Sequence, residues 1–146
     1  MELPKYPLKA DPSLMVFEFT STGPKGNISK IIRYDKTGIN EVYHLGFGNK
    51  DEETNAIDYY HVDNNGDTEK ILATVAATLY LFFDKHPGVW VYAKGSTPAR
   101  NRLYRGGITR FITLIESDFE IMGLHEKKWV PFSKQLVCDA FMVKQK

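Results

Sequence analysis

At 146 residues, of which 42% are hydrophobic and 13% aromatic, the chain can bury a core without disulfides or a metal, and its composition is not that of a disordered segment. A formal net charge of +1 excludes a partner chosen by bulk charge alone, and the single cysteine, Cys138, excludes an internal disulfide. The N-terminus carries no apolar leader, and the longest apolar run, Val75 to Phe83, is too short for a bilayer, so a cytoplasmic chain with no membrane partner is expected.

No repeat or linker divides the chain, which reads as one domain over 1–146. Residues 1–13 hold three of the seven prolines and read as an irregular N-terminal arm. Strands are expected at Met15–Thr20, Ile28–Tyr34 and Glu41–Phe47, joined by glycine-bearing turns into an antiparallel meander. A fourth, short strand is expected at Ile57–Val62. The clearest helix runs from about Thr68 to Lys85, with Ile71, Leu72, Val75, Ala76, Leu79, Phe82 and Phe83 on one face. Asn65 or Asp67 is placed to cap it, and His86-Pro87-Gly88 to stop it.

Val89–Ala93 reads as an interior strand able to pair in parallel. Thr97 and Pro98 then open a second helix running to about Ser117. Phe119–Leu124 and Leu136–Val143 are expected as closing strands, a hairpin through Trp129–Phe132. The fold class is therefore α+β: an antiparallel meander followed by β-α-β-α-β-β, a mixed sheet with two main helices.

Two turns could hold a ligand. Lys94, Gly95, Ser96, Thr97, Arg100, Arg102 and Arg105 sit where a strand hands over to a helix, which favours anions through free N–H groups, hydroxyls and cations. From Lys94 to Arg110 there are five basic residues and no acid, the strongest local charge imbalance in the chain. The second turn is Asn64, Asn65 and Gly66. It lacks the Lys-Ser/Thr ending of a phosphate loop, and Thr74 stands where a calcium loop needs its Glu. No metal is expected from the spacing of His44, His61, His86 and His125, and Cys138 in its apolar setting reads as buried and inert.

Asn64 to Asp67, Lys70 with Leu72-Ala73-Thr74-Val75, and Gly95 to Tyr104 resemble the shared features of a family of small, uncharacterised bacterial proteins. The likeness covers nearly the whole chain and implies no activity. The order of elements also resembles a truncated core of the GCN5-related N-acetyltransferases. Ser96 to Tyr104 is similar to that family's Asn-x-x-Ala-x-x-Leu-Tyr pattern, with Ser96 in place of Asn. This second resemblance implies acetyl-CoA as cofactor, coenzyme A pyrophosphate near Asn64 to Lys70, and Tyr104 as a catalytic general acid. The Arg/Gln-x-x-Gly-x-Gly/Ala loop of that family is absent from the chain.

Three functional classes follow. The chain is read first as a binding or regulatory module for an anionic, phosphate-bearing small molecule or a nucleic acid at 94–110. The alternatives are an acetyl-CoA-dependent N-acyltransferase and a protein-interaction component such as an antitoxin-like partner. Open edges of a meander sheet would also allow a homodimer.

Overall fold

The computed structural model describes residues 4–51, 53–54, 56–58, 65–94, 115–133 and 138–146. Two compact units interleave along the chain: Met1–Asp35 with Gly46–His86, and Lys36–Leu45 with Pro87–Lys146.

The first unit opens with the arm. Lys9–Ala10 (β1) pairs antiparallel with Val16–Gly23 (β2), so the expected irregular arm contains a strand. Tyr6 is buried as well: its N–H donates to Thr74 Oγ1 (2.9 Å), which ties the arm to the helix. An aromatic residue among prolines can dock where the local sequence shows only breakers, because burial is a tertiary gain.

β2 turns at Pro24-Lys25 into Gly26–Lys36 (β3), with Gly23 opposite Gly26. Gly26 has φ +92°, which a side chain would resist. Val42–Lys50 (β4) follows, and Ile57–Asp58 (β5) pairs antiparallel with its end. The helix Thr68–Lys85 (α1) has the expected bounds. It buries Ile71, Leu72, Val75, Leu79, Phe82 and Phe83 as its spacing requires, and Ala73, Thr74 and Thr78 besides, while Ala76, expected on the same face, is only half-buried. Thr74 and Thr78 satisfy their hydroxyls on the carbonyls of Lys70 and Val75, both at 2.7 Å. Phe82 stacks on Tyr34 (4.3 Å between centroids), and Tyr34 Oη lies 2.7 Å from Thr78 Oγ1.

In the second unit the start of β4 pairs in parallel with Trp90–Ala93 (β6), the parallel pairing expected for that strand. Phe119–His125 (β7) turns at Glu126-Lys127, both at positive φ, into Lys128–Pro131 (β8). Phe141–Gln145 (β9) pairs antiparallel with β6 on one side and β7 on the other. β7 and β9 thus pair antiparallel as expected of the closing strands, but no simple turn through Trp129–Phe132 joins them: β8 comes between them in the chain and forms a hairpin with β7. No glycine marks the turn at 126–127, so the sequence hides it. Val91, Phe119, Ala140 and Phe141 form the buried centre of this unit.

The α+β class holds, with mostly antiparallel strands. Only α1 is a helix element among the described residues, against the two expected. The second expected helix falls mainly on 95–114, outside them.

Candidate functional site

β6 has a hydrogen-bonded neighbour on each side, β4 and β9, and Trp90 N–H also donates to Glu41 O at 2.8 Å. Val91 is fully buried. The strand is therefore held along its length, and it delivers Lys94, exposed, at its end. Lys94 is the first residue of the basic turn expected from the sequence. Gly95, Ser96, Thr97, Arg100, Arg102, Tyr104 and Arg105 lie outside the described residues.

The second turn is partly described: Asn64 lies outside, while Asn65 and Gly66 are in view. Asn65 is 3% exposed. Its Oδ1 accepts from Lys25 N–H (2.7 Å), and its Nδ2 donates to Gly26 O (3.0 Å) and Ser21 Oγ (3.2 Å). Both ends of the amide are thereby engaged within the fold, through two donor bonds and one acceptor bond. Gly23 is required beside it, since a Cβ there would collide with Asn65 O.

Asp67 occupies the N-cap position of α1, yet its side chain makes no cap bond. Oδ2 instead accepts from Tyr6 Oη and from Ser21 Oγ, both at 2.5 Å. Tyr6 Oη in turn accepts from Thr22 N–H at 3.0 Å. Lys70 Nζ stands 4.3 Å from the centre of the Tyr6 ring. The turn thus fastens the arm, the β2–β3 hairpin and the start of α1. Asp67 Oδ2 is thus spent on the hydroxyls of buried Tyr6 and Ser21, and the expected side-chain cap is not made.

A concavity of about 450 Å³ lies against β2 and β3 in the first unit, lined among others by Lys9, Glu18, Thr20 and Lys30. Lys30 is 3% exposed; its Nζ donates to Asn49 Oδ1 and lies 5.9 Å from the Phe47 ring centre. Glu18 is paired with Lys50 at 2.5 Å. The sequence reading missed Lys30, although strand alternation puts it in phase with Ile28 and Ile32. Both signs of charge line this hollow, so it does not select an anion.

Among the described residues no group of three His, Cys, Asp or Glu could hold a metal ion. Cys138 is buried against Gly123, where an added Cβ would collide with Sγ. His86 stacks on Phe82 at the end of α1, with Nε2 3.1 Å from Ser13 O. His44 lies 6.0 Å from the Tyr92 ring, and His61 is outside the described residues. No helix among the described residues is long and apolar enough to cross a membrane.

These features describe a small α+β chain whose described buried polar groups serve the fold and whose basic segment begins at the exposed Lys94, at the end of an interior strand. Residues 2–146 match the model of a family of unknown function (DUF6934), and the chain belongs to that family. No curated protein and no solved structure matches it.

Proposed function

We propose that the chain is a binding module for a phosphate-bearing ligand, held at the segment that leaves β6 at Lys94. The observation that carries this reading is the placement of Lys94, exposed at the end of a strand bonded on both sides. The anchored strand fixes the backbone that leads into Lys94 before a ligand binds, so ordering on association falls mainly on the side chain. The sequence beyond it adds Arg100, Arg102, Arg105 and Arg110 with no acid to oppose an anion. The competing turn at Asn65 has its amide engaged in the fold. A thermal-shift titration with inorganic phosphate, nucleotides and coenzyme A tests the reading. A ligand at one hundred times its dissociation constant stabilises by about 2.7 kcal/mol. Arg100→Ala/Arg102→Ala should remove that gain while leaving the unliganded melting point in place. An undiminished gain in the double variant would defeat the proposal.

A second reading, an acetyl-CoA-dependent N-acyltransferase, draws support from one feature. β5 leads into α1 and α1 into β6, the succession of strand, helix and strand that resembles the N-acetyltransferase core, and β6 pairs in parallel with β4. In that reading Tyr104 is the general acid. Tyr104→Phe would then keep acetyl-CoA binding and lose acyl transfer, and a chain that acetyl-CoA does not stabilise would rule the reading out.

A further inference from the structure

The strands of the second unit have two faces of opposite character. Val91, Phe119, Phe141 and Val143 point to one and are buried. Cross-strand register then defines the other. His44, Tyr92 and Met142 stand in one row, and Val42, Trp90 and Lys144 in the next. All six are half-exposed. Trp129 joins them from β8, 38% exposed, its ring edge-on to Tyr92 at 6.0 Å. Tyr92 is also 6.0 Å from His44, and Lys144 Nζ stands 5.7 Å from the centre of Trp90.

The outward face of an antiparallel sheet is ordinarily polar. Here it carries both tryptophans of the chain. Trp90 is half-buried there but Trp129 is exposed, and a ring of that size stabilises a core most when buried, so its place at the surface points to an occupant. The charges say which kind. Lys144 lies within the face, and Lys94 follows Tyr92 at the end of β6. The carboxylate in the same rows, Glu120, stands opposite Lys144 in register, so the two lysines leave this face with an excess of one positive charge. An apolar partner would strip water from these ammonium groups and return no acceptor. A phosphodiester strand returns one at each nucleotide, and its unpaired bases supply flat faces for the rings. A duplex would not, since its bases are stacked on each other.

We propose that this face binds single-stranded nucleic acid, with bases on the Tyr92–Trp129 platform and phosphates at Lys144 and Lys94. The inference rests on the reading of the chain as a binder of phosphate-bearing ligands, and adds what the phosphate is attached to.

Fluorescence anisotropy with a labelled ten-nucleotide oligothymidylate, and with a duplex of the same length, tests it on the full chain. The single strand should bind more tightly than the duplex. Trp129→Ala should weaken single-strand binding about tenfold or more, Trp129→Phe should restore most of it, and neither should change the salt slope. Lys144→Gln should lower that slope by about one, a readout independent of whether Trp129→Ala folds. Equal or tighter binding of the duplex, or Trp129→Ala within twofold of the parent with an unchanged circular dichroism melt, would overturn the platform. So would a Trp129-dependent dimer in sedimentation with no oligonucleotide binding. Arg100→Ala/Arg102→Ala separates the two proposals. If it leaves oligonucleotide affinity intact while Trp129→Ala removes it, the basic-segment reading fails and the platform stands. If phosphate binding is lost in the arginine variant while Trp129→Ala changes nothing, the reverse holds.

Discussion

Replacing Asn65 by alanine separates a turn that supports the fold from one that serves a ligand. The substitution removes three hydrogen bonds, to Lys25 N–H, Gly26 O and Ser21 Oγ. Each contributes about 0.5–1.5 kcal/mol net. Lys25 and Gly26 are exposed, so water replaces part of what their backbone groups lose. Ser21 is fully buried, but its hydroxyl keeps Asp67 as an acceptor. The total then falls at roughly 2–3 kcal/mol. With an unfolding entropy of about 2.1 cal/mol/K per residue, 146 residues lose roughly 7–10 °C of melting temperature. A circular dichroism melt reads this directly, and amide exchange at Lys25 should accelerate with it. A variant that melts within 2 °C of the parent would refute the structural role. If the same variant also lost its response to phosphate, the turn would be a ligand site after all.

Two more predictions follow from the packing. Gly123→Ala should cost about 2 kcal/mol or more, because the new Cβ collides with buried Cys138 Sγ, and Cys138→Ala in the same chain should recover much of the loss. A double-variant cycle in urea denaturation checks it, and additive losses would show that Cys138 is not the obstacle. Burial pushes the Tyr34 phenol well above its ordinary value, against the opposing pull of its hydrogen bond with Thr78. The folded protein therefore holds that proton more tightly than the unfolded chain does. Stability from this group is fully present below about pH 10 and falls by up to about 1.4 kcal/mol per unit as pH rises above it. Tyr34→Phe should remove that component of the alkaline loss, and an unchanged alkaline slope in urea melts would refute it.

The elements with strong periodicity were legible without a structure. α1 has its expected bounds because its apolar spacing, its Asn/Asp/Gly-rich start and its His-Pro-Gly end all point the same way. The meander strands and the parallel pairing of β6 were readable for the same reason, since β-formers between glycine turns leave few alternatives. The basic segment from Lys94 was legible as a charge count, though not its geometry.

What escaped the sequence shares one property: it depends on partners far away in the chain. Tyr6 meets Asp67 across 61 positions, and that bond turns an expected cap into a tie between arm and helix. The β7–β8 turn uses Glu126 and Lys127 at positive φ, where local preference alone would call for Asn or Gly. Which side of a strand faces a core was written in its alternation, but which side stays open to solvent was not. Trp90 fell in an expected interior strand and Trp129 in an expected turn, and only the cross-strand register sets both on one face of the sheet. The sequence by itself determined the class, the helix and the local charge. The tertiary structure decided which polar groups are consumed internally and which rings meet water, because both follow from long-range burial that no local pattern encodes.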